Sequence, residues 1–222
     1  MRCIQMFVFA TTLTVVAFAQ SNPISADSPY HVHYFANTAI GDSYINITNT
    51  GANGAGNGSG TTASVTGAVC ANFYVFDQAE ETVSCCSCAV TPDGLNSLSI
   101  QKDLIANPLL SKNATAGIVV KVLATAPVSN SCTNSALLAG NPAPVNGLAI
   151  WGTDLHANTA AAAGTYALSE TPFIPTTLSG YSATAPTGEY ARLQYSCGFA
   201  VGQGSGGGTC TSCHVGGLAN AR

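Results

Sequence analysis

The chain has 222 residues, of which 46% are hydrophobic and only 7% are charged, with a formal net charge of −4 at pH 7. Apolar content this high excludes a disordered linker, which keeps hydrophobicity low and charge high. The few basic residues are scattered and make no patch, which excludes nucleic-acid binding and attraction to an anionic bilayer.

Residues 1–19 read as a signal peptide. Arg2 supplies the positive start, Ile4 to Val16 form the apolar run, and Ala17-Phe18-Ala19 places small residues where a signal peptidase reads, so cleavage is expected before Gln20. The run is too short to span a bilayer and gives way at once to polar SNPISADSP, so no membrane insertion is expected after cleavage. Cys3 lies upstream of the cut and has no lipobox around it.

The rest of the chain reads as short strands. His31 to Ala36 and Ser43 to Thr50 are β-branched and aromatic, with Tyr44, Asn46 and Thr48 alternating against Ile45 and Ile47. GANGAGNGSG (Gly51 to Gly60) is a loop. Val69 to Phe76 sets Val69, Ala71, Phe73 and Val75 on one face and Cys70, Asn72, Tyr74 and Phe76 on the other. After DQAEE, Thr82 to Thr91 returns as a hairpin. A turn centred near Ala79 places Cys70 opposite Cys88, with Cys86 its diagonal neighbour, and leaves a cross-strand bridge open. Leu95 to Ile100 follows the turn at Pro92-Asp93-Gly94, and Gly117 to Thr125 is nearly all apolar, as a central strand requires. Leu148 to His156 and Thr165 to Phe173 make a second hairpin around NTAAAAG. One helix follows Pro186-Thr187, with Tyr190, Leu193, Cys197, Ala200 and Val201 at three- and four-residue steps. Thr187 is its expected cap and Glu189 lies in its first turn. The fold class is mainly β: a sandwich of the immunoglobulin-like or jelly-roll type over residues 20–203, with one C-terminal helix. A Gly-rich, disulfide-stapled tail occupies residues 204–222.

Cutting before Gln20 leaves Cys70, Cys85, Cys86, Cys88, Cys132, Cys197, Cys210 and Cys213, an even set in an exported chain, which reads as disulfides. Spacing alone does not give the pairing, since eight cysteines allow about a hundred. CTSCH, from Cys210 to His214, has the spacing of a c-type haem attachment, with His214 as the proximal ligand. The mature chain has no methionine for the second axial position and the flanks GSGGGT and VGGLANAR are not apolar. The other reading bridges Cys210 and Cys213 to each other, to Cys197, or to the Cys85–Cys88 cluster. SCCSC together with CTSCH also raises a thiolate metal site, zinc or iron–sulfur. A strand, however, puts Cys86 and Cys88 on one face and Cys85 on the other, which splits the ligands. His31 and His33 share a strand face, and with His156 offer three nitrogens of the kind that bind catalytic zinc or copper. No carboxylate is placed by sequence to serve them as a base. There is no GxSxG, HExxH or Walker pattern. Sequons stand at Asn46, Asn57 and Asn113.

The segments CCSCAVTPDGL (Cys85 to Leu95), WGTDLHA (Trp151 to Ala157) and GEYARLQYSC followed by CTSCHVGGL resemble a group of exported, cysteine-rich proteins of soil acidobacteria, over most of the mature chain. The resemblance implies an exported bacterial domain. That group is functionally uncharacterised and contributes no catalytic residue. It also implies that the terminal motif need not end in histidine, which would make His214 incidental.

The reading is a secreted, periplasmic or surface-located structural or interaction protein without catalytic activity or cofactor. Its expected partners are copies of itself or cell-surface and matrix components. A monohaem electron carrier using Cys210, Cys213 and His214 is the first alternative. A zinc or copper enzyme using His31, His33 and His156 is the second.

Overall fold

A computed structural model describes residues 28–54, 66–106, 116–129, 131–132, 140–157, 164–202, 208–210 and 212–213. The signal segment, Asn57, Asn113, His214 and most of the two glycine-rich runs lie outside the described residues.

Among the described residues, ten strands form two sheets. They are β1 (Tyr30–Ala36), β2 (Tyr44–Asn49), β3 (Val69–Phe76), β4 (Thr82–Val90) and β5 (Leu95–Ser99) in the first half. The second half adds β6 (Gly117–Thr125), β7 (Leu148–Ala157), β8 (Tyr166–Pro172), β9 (Ile174–Pro175) and β10 (Gly208–Thr209). The larger sheet has the order β10-β4-β3-β6-β1-β9 and the smaller β5-β2-β7-β8. All pairings are antiparallel except β10 on β4, which is parallel.

The alternation in the sequence sets the layers. Val69, Ala71, Phe73 and Val75 of β3 meet Phe35, Ile45, Ile47, Leu98, Val120, Val122, Leu148 and Ile150 in the core between the sheets. The opposite face of the large sheet supplies Tyr30, Tyr74, Phe76, Cys85 and Leu123 to a second apolar cluster. That cluster is closed by Tyr190, Leu193, Cys197 and Ala200 of the single described α-helix, α1 (Gly188–Gly202). The molecule is therefore a sandwich with a helix on one outer face, and β3, between two layers, is buried along its whole length. The polar side chain on that face is also satisfied. Asn72 donates to the carbonyls of Leu123 and Cys70 and to Thr125 Oγ1, and accepts from Ser87 Oγ at 2.6 Å.

Three local expectations are corrected. The β3–β4 register follows a turn centred on Ala79 only at Phe76↔Thr82. A bulge between Val75 and Phe76 then shifts the ladder by one residue, so Cys70 faces Ala89 and Ala71 faces Cys88. The expected strand Leu95 to Ile100 stops at Ser99, because the chain turns into a π-helical segment, Ile100–Ile105. Its start is fixed from both sides: Ser99 Oγ accepts from Lys102 N, and the Asp103 carboxylate accepts from Ser99 N, each at 2.8 Å. The side chain that caps α1 is Ser179, whose Oγ accepts from Glu189 N at 3.2 Å, and not Thr187. The stapled tail expected from the sequence docks on the large sheet: Gly208 and Thr209 pair with Cys86 and Ser87, and Cys210 is buried.

Candidate functional site

All eight cysteines expected to cross-link do so, as Cys70–Cys132, Cys85–Cys197, Cys86–Cys210 and Cys88–Cys213. The strand geometry of β4 dictates who meets whom. Cys85 points out of the large sheet and meets Cys197 on α1. Cys86 and Cys88, however, both join the core on its inner side and meet the two cysteines of the tail. Successive residues of a strand face opposite ways, so Cys86 and Cys88, two positions apart, share one face, and each reaches a different half of the CTSC turn. The cross-strand bridge from Cys70 to β4 is not made; Cys70 reaches Cys132, beyond the end of β6.

The tail is held by more than sulfur. Cys213 N donates to the Cys210 carbonyl at 3.1 Å, closing the CTSC turn, and Ser212 N donates to Asp103 Oδ1 at 2.8 Å. Asp103 thus ties the π-helical segment to the tail, a role that no motif in the sequence announces. In this arrangement the two thiols of the haem-type motif are both engaged. Haem attachment needs both thiols, whereas Cys210 and Cys213 are bonded to β4 and Cys210 is packed into the core.

The three histidines of the candidate zinc or copper set take separate partners. His31 is buried, and its Nε2 lies 2.8 Å from the Ser28 carbonyl. Burial lowers its pKa below the ordinary value, and the bond to Ser28 opposes that shift. His33 Nε2 lies 3.0 and 3.2 Å from the two carboxylate oxygens of Asp154 on β7, and Thr171 Oγ1 donates to the same carboxylate. The His33 ring stacks on Phe173 at 4.7 Å and meets Phe35 edge-on at 4.5 Å. His156 is exposed and pairs with Ser169 Oγ at 2.7 Å. Among the described residues, the one group of three or more His, Cys, Asp or Glu side chains close enough to share an ion is Cys88, Cys210 and Cys213. The carboxylate that sequence reading did not find is Asp154. Its signal is Gly152, a glycine inside a strand, which marks a close approach. A Cβ there would stand 2.7 Å from His33 Nε2.

The outward face of the small sheet is the third feature. Cross-strand pairing aligns Ser97, Asn46 and Trp151 in one row, and Tyr44, Thr153 and Glu170 in the next. A hydrogen-bonded chain crosses the four strands: Ser97 Oγ to Asn46 Oδ1 at 2.6 Å, Asn46 Nδ2 to Thr153 Oγ1 at 2.9 Å, and Thr153 Oγ1 to Glu170 Oε1. Beside it stand Tyr44, 43% exposed, and the half-buried Trp151, the sole tryptophan of the chain, while Tyr166, 46% exposed, lies at the far end of β8 opposite Ala157. The sequon asparagine Asn46 has its side-chain amide engaged on both sides here.

No family model matches the chain, and no curated protein or solved structure shows significant similarity to it.

Proposed function

We propose that this chain is an exported, non-catalytic interaction module acting at or outside the cell surface. Residues 1–19 direct its export, and the outward face of the small sheet contacts a neutral, hydroxyl-rich surface or matrix polymer. The observation that carries the reading is that face, where rings and hydrogen-bonding groups alternate on a rigid plane. Tyr and Trp offer a large apolar area with a polar tip at little entropic cost. The Ser97–Asn46–Thr153–Glu170 chain supplies donors and acceptors, with a single carboxylate and no cation among those residues. Four disulfides support the external placement, since such bonds persist in oxidising compartments. Among the described residues, no helix is long and apolar enough to cross a membrane.

The test is cosedimentation of the purified protein with insoluble cell-wall and matrix polysaccharides, with its oligomeric state followed by light scattering. Binding is expected to weaken by about tenfold or more in Trp151→Ala and in Tyr44→Ala, as for an interface anchor. Tyr195→Ala, on the far helix, should leave it unchanged. A protein that pulls down with none of these polymers sinks the proposed ligand. One that also stays monomeric at high concentration sinks the interaction role.

A further inference from the structure

Two of the disulfides are neighbours. The sulfurs of Cys88, Cys210 and Cys213 lie within 4.8 Å of one another, and Cys86 is bonded to Cys210. We propose that Cys86, Cys88, Cys210 and Cys213 form, once reduced, a four-thiolate site for a soft divalent cation of the zinc class. The two disulfides are then the oxidised, metal-free state of that same site.

The ligand count is met because Cys85 is out of the way. It projects from the opposite face of β4 toward Cys197 whether or not the two are bonded, leaving Cys86 and Cys88 directed at the two thiols of CTSC. Paired thiolates of this kind select zinc over harder cations. A tetrahedral zinc with Zn–S near 2.3 Å keeps its sulfurs about 3.8 Å apart, so the group closes round an ion by side-chain rotation.

The backbone that carries the ligands is held without the sulfur bonds. β10 pairs with β4 through Gly208↔Cys86 and Thr209↔Ser87, Cys213 N bonds the Cys210 carbonyl, and Asp103 holds Ser212 N. Reduction therefore leaves the four side chains side by side. Cys86, Cys88 and Cys210 lie within the apolar core and Cys213 packs against it, which keeps water from competing for the ion. Cys213 is the partly exposed member and the point of attack.

The chemistry balances. A dithiol reductant gives two electrons and two protons to each S–S bond and leaves as its own disulfide. Two such reactions yield four thiols, which release four protons as they bind one zinc ion. Reoxidation by a disulfide oxidant returns both cross-links and expels the metal.

The experiment reduces the full chain under anaerobic conditions and titrates it with Co2+. One equivalent is expected to give thiolate-to-cobalt charge-transfer bands and the visible bands of a tetrahedral centre, both bleached by one equivalent of Zn2+. The oxidised protein should give neither. Cys86→Ser and Cys213→Ser should each weaken binding by about tenfold or more, the scale at which even outer partners of a metal matter. Cys70→Ser/Cys132→Ser should bind as the parent does. Circular dichroism of the reduced chain, with and without metal, records whether the fold persists. A reduced chain with no tetrahedral signature, folded or not, overturns the proposal. So does a signature that Cys70→Ser/Cys132→Ser loses as readily as Cys86→Ser, which would report an unfolded chain collecting metal on any cysteine.

Discussion

Gly152 shows what a single missing side chain permits. Its bare Cα lets the His33 ring enter between Phe35 and Phe173 and reach Asp154. An added methyl would meet His33 Nε2 at 2.7 Å and Phe35 Cε1 at 3.1 Å, against a packed pair of rings with little room to yield. Gly152→Ala is therefore expected to destabilise the protein by about 1–3 kcal/mol, the usual cost of overpacking. Urea denaturation measures it, and an unchanged midpoint would mean that the rings move aside. His31 makes a prediction in pH. Its folded pKa is depressed by burial, so the unfolded chain binds a proton first, at the ordinary 6.5. The contribution is present above that value and is lost as pH falls below it toward the folded pKa. The difference in urea midpoint between the parent and His31→Gln should thus shrink between pH 8 and pH 5. The same shared face made His31 and His33 legible as a pair in the sequence. Their partners were not legible: the Asp154 carboxylate comes from β7, which only the fold brings near His33, and the Ser28 carbonyl, though three residues from His31, is reached only because of the way the chain enters β1.

At the scale of elements, α1 is attached to the large sheet by charge as well as by apolar contact. Lys121 Nζ lies 2.5 Å from Glu189 Oε1, Arg192 Nε lies 3.0 Å from Oε2, and Tyr30 donates to Oε1 at 3.1 Å. Both cations also lie over the Phe76 ring, at 5.3 and 4.8 Å. Burial would raise the Glu189 carboxyl, but the hydrogen bonds and charges of Arg192 and Lys121 outweigh it and hold the pKa below the ordinary 4.5. A depressed carboxyl stabilises the fold above 4.5, and that contribution disappears as pH falls through the folded value. Glu189→Gln should therefore lower Tm at pH 7 and converge on the parent in acid; parallel curves would show that the pair contributes nothing. The helix itself was legible, since its apolar residues recur at helical steps and are the ones buried. Strand faces were legible for the same reason. The β3–β4 register was not, because the turn sets it only up to the bulge, and no residue in VCANFYVF marks where a bulge falls. The π-helical segment escaped too, since IQKDLI is short and its turn type depends on Ser99 and Asp103 capping one another.

Over the whole molecule, the cross-links divide the layers among themselves. Cys85–Cys197 fastens the helix, Cys86–Cys210 and Cys88–Cys213 fasten the tail, and Cys70–Cys132 fastens the segment after β6, across separations of 112, 124, 125 and 62 residues. Loops this long give each bond an entropic contribution of about 4–5 kcal/mol in the chain-closure account, and measured losses run at about 2–5 kcal/mol. Cys85→Ala/Cys197→Ala should fall in that range, and in hydrogen exchange the amides of α1 should lose protection before those of β3 and β6. Protection lost evenly across all elements would mean that the helix is not a separable layer. An even cysteine count made the existence of cross-links readable, whereas the partners followed from three dimensions. Only the two-sided alternation of β4 hinted that Cys85 would part from Cys86 and Cys88.

The tail's parallel pairing with β4 also fixes a timetable. Ribosomes work from the N-terminus at about 5–20 residues per second, so Cys210 arrives roughly 6–25 seconds after Cys86, given their separation of 124 residues. Until the tail arrives the rim of the large sheet at β4 stands open, with Cys86 and Cys88 unclaimed beside a row of unpaired amides, while Cys70 precedes them and Cys132 follows well before Cys210. Such a rim invites both wrong partnering and strand exchange between neighbouring chains. Late arrival of the last segment makes it the lock on a nearly finished sheet, and the speed of its docking decides how much of the newly made protein reaches the correct form.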